Sequence, residues 1–279
     1  MQVVETLEEL WKERNGLAQP VGLVPTMGYL HAGHLSLVHR ARQECASVVV
    51  SIYVNPSQFG PQEDFSKYPR NLDRDLDLLQ AEKADLVWTP SDKVMYPTGY
   101  QTWVTVEQVT KPLEGAIREG HFRGVATVVT KLFNAIQPQK AYFGQKDAQQ
   151  AAVIRRMTRD LDFPIEIVVC PTVREKDGLA MSSRNVYLNT EERKAALVLS
   201  RGLFKARSLF EAGTHDAESL RRAVLETLET EPLAKAQYVS CADPYSLQEL
   251  DGQIDKGLIS LAVVIGKTRL IDNVVVGVD

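Results

Sequence analysis

The chain has 279 residues, 44% of them hydrophobic and 24% charged, a composition typical of a folded protein long enough for one large domain or two smaller ones. Its formal net charge of −4 gives no electrostatic footprint for nucleic acid, and no basic run favours an anionic membrane surface. No apolar run approaches the roughly 18 residues that span a bilayer. The acidic, amphipathic start MQVVETLEELWKER is unlike a secretion signal. We therefore expect neither nucleic acid nor a membrane among its partners.

Three cysteines, Cys45, Cys170 and Cys241, stand far apart in the chain and are odd in number. This pattern argues against a disulfide framework or a zinc cluster and favours a reducing compartment. We predict that the protein is cytoplasmic and that its cysteines are structural.

Short β-branched runs alternate with helix-length patterns through the first part of the chain. In chain order, the pattern predicts a strand at 21–26, a helix at 34–45, a strand at 47–55, a helix at 72–84, a strand at 85–90, a helix at 124–137, a strand at 140–144, a helix at 147–161 and a strand at 165–173. Strands that alternate with helices indicate right-handed crossovers and a mostly parallel sheet with both faces covered.

The pattern changes after residue 173. Residues 190 to about 231 are largely helical in pattern, and 236–243 and 258–273 are predicted antiparallel strands. We therefore predict an α/β fold in which a parallel-sheet domain, 1–173, precedes a smaller α+β domain, 174–279. The boundary is expected within 171–190.

The stretch PTMGYLHAGH (25–34) places His31 and His34 in a turn with Gly28 and Gly33, between a buried strand and a helix. The first turn of a helix has backbone N–H groups without helical partners and carries partial positive charge, so this junction favours phosphate binding. Two imidazoles three residues apart can both donate hydrogen bonds to a phosphate chain. A zinc pair would need a third ligand, and His39 does not share the face of His31. Incidental polar residues in a turn remain the alternative.

Other phosphate-binding motifs are incomplete. VVIGKT (263–268) has the end of a P-loop, but Leu261 occupies the position of its first glycine, and G-x-G-x-x-G does not occur. The sequence therefore lacks the main signature of dinucleotide-binding dehydrogenases.

Two later stretches carry groups suited to a nucleotide. GLAMSSRN (178–185) offers two hydroxyls and the guanidinium of Arg184, whose fork matches phosphate oxygens. The alternative interpretation is a helix cap. GQKD (144–147) follows a strand and opens a helix, the place where open α/β sheets bind ligands. Lys146 could stabilise phosphate charge there, and a solvated lysine at a helix start is the alternative.

A strand followed by H-x-G-H at a helix start resembles the HIGH signature of the adenylyl-transferring Rossmann-like superfamily. Members of that superfamily carry a later phosphate loop of the KMSKS type, which GLAMSSRN resembles. Three more blocks join PTMGYLHAGH and PTVREKDGLAMSSRN in the order found in the pantoate–β-alanine ligase family, the pantothenate synthetases: VSIYVNPSQFGPQEDFSKYPRN (50–71), GHFRGVATVVTKLFN (120–134) and YFGQKDAQQ (142–150). The resemblance covers about residues 21 to 190 and resumes at TRLIDN (268–273).

This resemblance implies a Rossmann-like domain, 1–173, that binds ATP and pantoate, and a lid domain, 174–279. In that family, ATP and pantoate form a pantoyl adenylate and pyrophosphate. The amine of β-alanine then attacks the acyl carbon and expels AMP, which completes pantothenate on the route to coenzyme A. The resemblance also implies a homodimer.

The resemblance assigns roles to individual residues. ATP binding falls on Met27, Gly28, Tyr29, Leu30, His31, Ala32, Gly33, His34, Gly144, Gln145, Lys146, Asp147, Val173, Met181, Ser182, Ser183 and Arg184. Catalytic roles fall on His31, His34, Lys146, Ser182, Ser183 and Arg184, with His34 as the proton donor. Gln58 and Gln150 match pantoate-binding positions, Gln58 also near β-alanine, and Asn55 is a further candidate. An ordinary polar loop residue is the alternative interpretation of Gln58.

Magnesium would be carried mainly by the triphosphate oxygens, because Mg²⁺ uses few protein carboxylates. Asp75 is a candidate for a water-mediated contact with the ion. The acidic stretch EDFSKYPRNLDRDLD (63–77) could form a carboxylate metal site, but we interpret it as a solvated loop and helix face.

Three rival functions fit less well. A nucleotidyltransferase such as a nicotinamide mononucleotide adenylyltransferase would need a basic pocket for a second phosphate, whereas Gln58 and Gln150 are neutral. A class I aminoacyl-tRNA synthetase would need a surface for tRNA, which the net charge of −4 disfavours. A non-catalytic nucleotide sensor would have no need for both histidines, the lysine and the Ser-Ser-Arg loop together.

Overall fold

The computed structural model describes residues 1–61 and 63–277. The chain divides into two compact units, Met1–Gly144 with Val153–Cys170, and Gln145–Ala152 with Pro171–Asp279. The main break at 170/171 lies close to the predicted division at 173, whereas nothing in the sequence pattern predicted that Gln145–Ala152 would group with the second unit. Residues 278 and 279 of the predicted second domain lie outside the described residues. The lid role of 174–279 stays a prediction.

The first unit contains a six-stranded parallel sheet in the order β1-β4-β3-β2-β5-β6. Its strands are β1 (Gln2–Val4), β2 (Val21–Thr26), β3 (Ser47–Ile52), β4 (Leu86–Trp88), β5 (Lys140–Gly144) and β6 (Glu166–Cys170). Helices cover the sheet, as Val24, Val50 and Val87 share one buried cluster with Leu37 and Val38. The predicted α/β parallel-sheet arrangement is confirmed.

The α-helices follow the predicted alternation with strands. They are α1 (Leu7–Asn15), α2 (Ala32–Glu44), α3 (Leu72–Ala81), α4 (Asp92–Met95), α5 (Glu114–Ile117), α6 (His121–Ile136), α7 (Ala148–Asp160), α8 (Thr190–Ala195), α9 (Leu197–Glu211) and α10 (Ala217–Glu229). Short 3-10 turns occupy Pro56–Gln58, Phe65–Lys67, Gln145–Asp147 and Ser183–Tyr187. Within the described part of the chain, none of these helices is both long and apolar enough to cross a membrane.

Several predicted boundaries were wrong. The strand predicted at 47–55 ends at Ile52, because Asn55 caps the 3-10 turn that follows. The helix predicted from residue 124 begins at His121, directly after Gly120, whose φ of 76° ends the preceding segment in the left-handed region. The N-terminal strand and helix were not predicted. β1 has only three residues and is held by pairing with β4, which local periodicity does not reveal.

The second unit contains an antiparallel sheet in the order β7-β8-β9, with β7 (Ala234–Ala242), β8 (Gly257–Ile265) and β9 (Thr268–Val276). The apolar run 258–273 is therefore a hairpin, and it turns at Gly266, which has a φ of 60°. Helices α9 and α10 pack on this sheet through a buried cluster that includes Leu203, Val224 and Leu261. The predicted smaller α+β arrangement is confirmed.

Candidate active site

The parallel sheet reverses its direction of growth at β2. The chain adds β3 and β4 on one side of β2 and then returns to place β5 on the other side. Gly22 pairs with Lys140 and Leu23 with Ala141, so the two strands run in register and end side by side at Thr26 and Gly144. A crevice at such a switch point is where open α/β sheets bind ligands. The predicted turn 27–34 and Gly144 both lie at this edge.

Asp75 anchors the turn that follows β2. Its side chain is 1% exposed, and its two carboxylate oxygens accept hydrogen bonds from the backbone N–H groups of Tyr29 (2.6 Å) and Leu30 (2.8 Å). Gly28 and Tyr29 adopt φ values of 81° and 50°, a left-handed conformation that ordinary side chains rarely take. The carboxylate satisfies the donors that this unusual backbone turns inward and fixes the path of the turn.

His31 and His34 form a capping arrangement at the start of α2. His31 Nδ1 accepts from the Gly33 N–H at 3.1 Å, and His34 Nδ1 accepts from the His31 N–H at 3.4 Å. The rings lie 4.1 Å apart between centroids. Because an accepting nitrogen carries no proton, the proton of each neutral ring lies on Nε2. The two side chains can therefore donate from Nε2, as the phosphate interpretation requires.

Asn55 holds Gln58 in place. Asn55 is 1% exposed; its Nδ2 donates to Gln58 Oε1 (3.1 Å) and to the Gly124 carbonyl (3.2 Å). Its Oδ1 accepts from the Ser57 hydroxyl (2.8 Å) and the Tyr96 hydroxyl (2.9 Å). Both donors and both acceptor lone pairs are thus used within the protein. The Asn55 side chain thus orients the Gln58 amide, and its direct contact with substrate stays a prediction.

Gln58 is 9% exposed and its Nε2 donates to the Met27 sulfur at 3.2 Å. The amide therefore faces the turn that carries the two histidines. One N–H and one lone pair of this amide have no hydrogen bond to the described residues, so Gln58 can still bind a neutral polar ligand.

The block GHFRG (120–124) at the start of α6 packs against the segment that contains Ser57 and Gln58. A Cβ at Gly124 would lie 2.3 Å from the Ser57 carbonyl oxygen, so only glycine allows this close packing. His121, which is 9% exposed, has its Nδ1 2.8 Å from the Gln58 carbonyl oxygen. The sequence resemblance singled out this block without a role for it. The structure gives it one.

Arg118 connects the same region to the loop at Glu63. It binds the Glu63 carboxylate through two hydrogen bonds of 2.7 Å, and its Nη1 lies 3.0 Å from His121 Nε2. Burial opposes ionisation of Glu63, but the hydrogen bonds and charge of Arg118 outweigh it and lower the Glu63 pKa. Burial, followed by the charge of Arg118, lowers the His121 pKa to about 4, so the ring is neutral near pH 7.

In the second unit, Gln145–Asp147 form a 3-10 turn that leads into α7, where Gln150 lies in the first turn. The Lys146 ammonium lies 3.6 Å from Asp147 Oδ1, and its side chain is 20% exposed. A partly shielded ammonium beside a carboxylate can still bind phosphate oxygens when ATP competes for it. Gln150 is half-buried on the same segment.

Residues 173–181 form a small hairpin that delivers the Ser-Ser-Arg segment. Its base is closed by the Met181 N–H, which donates to the Val173 carbonyl at 3.0 Å. Ser182 accepts from the Arg184 N–H at 3.2 Å and caps the 3-10 turn Ser183–Tyr187. The helix-cap alternative expected this segment to lead into the helix that begins at Thr190, but that helix is capped by Asn189. The Ser182 cap instead fixes the backbone that carries the Arg184 side chain.

The structure changes the interpretation of the acidic stretch 63–77. Glu63 is half-buried and paired with Arg118, and Asp75 is buried, whereas Asp73 and Asp77 are exposed. Among residues 1–61 and 63–277, no group of three or more His, Cys, Asp or Glu side chains is arranged to hold a metal ion. Both Asp75 oxygens accept backbone N–H groups, and the water-mediated contact of Asp75 with Mg²⁺ stays a prediction.

A protein-family model described as pantoate-β-alanine ligase matches residues 1–275. The chain belongs to the pantoate–β-alanine ligase family. A pantothenate synthetase from Herpetosiphon aurantiacus is 62% identical over 276 residues, covering 99% of this chain and all of the relative. The family resemblance read from the motifs is confirmed.

Solved structures of the family have the same fold. Pantothenate synthetase from Thermus thermophilus matches with a TM-score of 0.94 and 50% identity, over 98% of this chain and 99% of that chain. The pantoate-β-alanine ligase from Francisella tularensis, complexed with β-γ ATP and β-alanine, matches with a TM-score of 0.82 and 35% identity, over 98% and 97% of the two chains.

Proposed function

We propose that this chain catalyses the ATP-dependent ligation of (R)-pantoate and β-alanine to pantothenate through a pantoyl adenylate, with release of pyrophosphate and AMP. The observation that carries the proposal is the family match over residues 1–275. The Francisella tularensis relative is complexed with β-γ ATP and β-alanine, which supports the same pair of ligands here. The reaction belongs to pantothenate and coenzyme A biosynthesis.

In the first step, a carboxylate oxygen of pantoate attacks the α-phosphorus of ATP, and the bond to the bridging oxygen of pyrophosphate breaks. Negative charge grows on the phosphate oxygens as this bond breaks. The Nε2–H groups of His31 and His34, the Lys146 ammonium and the Arg184 guanidinium are the groups proposed to stabilise it. His34 is the proposed proton donor.

In the second step, the amine nitrogen of β-alanine attacks the acyl carbon, loses a proton, and expels AMP. Pantoate carries hydroxyls as well as a carboxylate, so its binding needs neutral donors and acceptors. The amides of Gln58 and Gln150 are proposed to supply them. Asn55 and His121 support this step indirectly, because they hold the backbone and side chain of Gln58.

Magnesium is proposed to enter as part of the substrate, bound to the triphosphate. This fits an ion that keeps its waters and uses few protein carboxylates. It also fits the use of both Asp75 oxygens by the backbone.

We also propose that the protein is a cytoplasmic homodimer. The family resemblance supports the dimer, and the three buried cysteines, which form no disulfide in the described chain, fit a reducing compartment. Light scattering is expected to give twice the 31.1 kDa mass of the chain.

The test of the function is pyrophosphate release with ATP, Mg²⁺ and pantoate, with and without β-alanine. We expect about one equivalent of pyrophosphate per site without the amine, because the adenylate stays bound, and continuous AMP production with it. Pyrophosphate release that requires no pantoate, or none under either condition from folded protein that binds ATP, would contradict the proposal.

A further inference from the structure

The middle of strand β9 carries a pair of buried polar residues to which the reaction assigns no role. Asp272 is 2% exposed and Asn273 is 4% exposed, in a strand otherwise rich in apolar residues. Burying consecutive polar side chains destabilises a fold unless each finds hydrogen-bond partners. Their partners lie in the two segments of this unit that carry proposed nucleotide ligands.

Asn273 binds the Lys146 segment. Its Nδ2 donates to the backbone carbonyls of Gln145 (3.0 Å) and Lys146 (2.9 Å), and its Oδ1 accepts from Gln145 Nε2 at 3.0 Å. Three of the four hydrogen-bonding positions of the amide are therefore spent on one short turn. A 3-10 turn has weak hydrogen bonds of its own, so these contacts fix the backbone from which the Lys146 side chain extends.

Asp272 binds the hairpin that precedes the Ser-Ser-Arg segment. Its carboxylate accepts two hydrogen bonds from Arg174, at 2.6 and 2.9 Å, and one from the Asn273 N–H at 2.8 Å. Arg174 Nη1 also donates to the Gly178 carbonyl across the hairpin, at 3.1 Å. Burial raises the Asp272 pKa, and the hydrogen bonds and charge of Arg174 partly offset this.

We infer that Asp272 and Asn273 are positioning residues for adenylate formation. Together they attach the Lys146 turn and the hairpin leading to Met181–Arg184 to one strand of the second unit, so that the ammonium and guanidinium keep a fixed separation. The inference rests on the proposed function, because it takes Lys146 and Arg184 as the groups that stabilise charge on the phosphates. It assigns a role to TRLIDN (268–273), which lies more than 80 residues beyond Arg184, the last residue proposed to bind ATP.

A purely structural role predicts something different. It would lower stability and reduce both chemical steps in proportion to the loss of folded protein. A positioning role acts on the step in which the phosphates carry the developing charge. Small displacements of such groups reduce rates by about tenfold to a hundredfold.

The experiment compares Asn273→Ala and Asn273→Asp with the wild type. Asn273→Asp keeps the size of the side chain but turns a carboxylate oxygen toward two carbonyl oxygens, so it should be the more damaging change. Arg269→Ala is the control on the same strand, because the Arg269 side chain donates to Gln237 of β7, at 2.6 Å. Thermal unfolding is measured for every variant.

Two rates are measured: pyrophosphate release from ATP and pantoate, and pantothenate formation from chemically prepared pantoyl adenylate and β-alanine. We expect Asn273→Ala to reduce kcat of the first by about tenfold or more and the second by less than about twofold. Arg269→Ala should leave both unchanged. Equal losses in the two rates, or wild-type adenylation in Asn273→Asp, would overturn the inference.

Asn273→Ser keeps one hydrogen-bond donor for the turn and replaces the alanine variant if that variant does not fold. We expect it to slow pyrophosphate release more than pantothenate formation, by a smaller factor than Asn273→Ala. An inactive wild type would refute the proposed function itself, and the inference with it. An active wild type whose folded Asn273 variants show no split would refute the inference alone.

Discussion

The Nδ1 atom of His121 lies 2.8 Å from the backbone carbonyl oxygen of Gln58, and its Nε2 lies 3.0 Å from Arg118 Nη1. A carbonyl only accepts and a guanidinium only donates, so the ring must be neutral with its proton on Nδ1. The imidazole thus bridges Arg118 and the Gln58 carbonyl, because its Nε2 accepts from Arg118 and its Nδ1 donates to the carbonyl. The orientation of Gln58 therefore depends on His121 as well as on Asn55.

Replacement of His121 by alanine is expected to raise KM for pantoate about tenfold, because the Gln58 carbonyl loses its buried donor. KM for ATP should change much less. His121→Asn places an amide N–H near the former Nδ1 and should restore much of the pantoate affinity. Steady-state kinetics with each substrate varied in turn measures both values. Equal rises in the two KM values would show that the loop does not act on pantoate alone.

The His121 ring also predicts a pH dependence of stability. Burial and the Arg118 charge lower its folded-state pKa from 6.5 to about 4, with Glu63 and Glu114 opposing the shift. Between these values the unfolded chain binds a proton that the folded protein does not, so stability is lost as pH falls through this window. The full shift corresponds to about 3 kcal/mol. Urea unfolding of the wild type should lose more stability than His121→Asn between about pH 6.5 and about pH 4; parallel curves would refute this.

Gly124→Ala is expected to disturb the same loop from the helix side. Its Cβ would lie 2.3 Å from the Ser57 carbonyl oxygen, so the loop or the helix must move. We expect a higher KM for pantoate together with a loss of about 1–3 kcal/mol in unfolding free energy, the range typical of overpacking. Kinetics and urea unfolding measure the two effects. A variant with wild-type KM would show that Gln58 does not need this packing.

Asp75→Asn tests whether this carboxylate anchors the turn or binds magnesium. The amide cannot accept from both Tyr29 and Leu30, so the turn loses a buried hydrogen bond, and KM for ATP should rise about tenfold. The Mg²⁺ concentration for half-maximal rate should not change. Asp77→Asn makes the same charge change at an exposed position of the same helix. It should leave both KM for ATP and the Mg²⁺ requirement unchanged. A shifted Mg²⁺ requirement in Asp75→Asn alone would favour the metal role.

His34→Ala and Lys146→Ala should each reduce adenylation by about a hundredfold with little change in thermal unfolding. His39→Ala is the control for the first, since His39 is an exposed residue of the same helix whose ring lies 3.6 Å from Glu82. Lys176→Ala, at an exposed loop position, is the control for the second. Pyrophosphate release measures the effect. Full adenylation in either active-site variant would remove that residue from the mechanism.

Much of the fold was predictable from the sequence because its signals are local. Alternating apolar runs define the strands and helices whatever their partners are, and H-x-G-H after a buried strand marks a helix N-terminus through residues that are neighbours in the chain. Strand boundaries and the N-terminal strand were missed where pairing or capping decided them. β1, for example, is a strand because it pairs with β4 at the edge of the sheet.

The positions and types of the residues proposed to bind ATP and pantoate are therefore set by the sequence, and so is the family to which the chain belongs. What holds those residues was decided only by the tertiary structure: Asp75 reaches Tyr29 across 46 residues, His121 reaches Gln58 across 63, and Asn273 reaches Lys146 across 127. Periodicity describes which face of an element is buried, but it carries no information about which distant backbone group that face will meet. The partner of a buried polar side chain depends on how whole elements pack, and packing exists only in the folded chain.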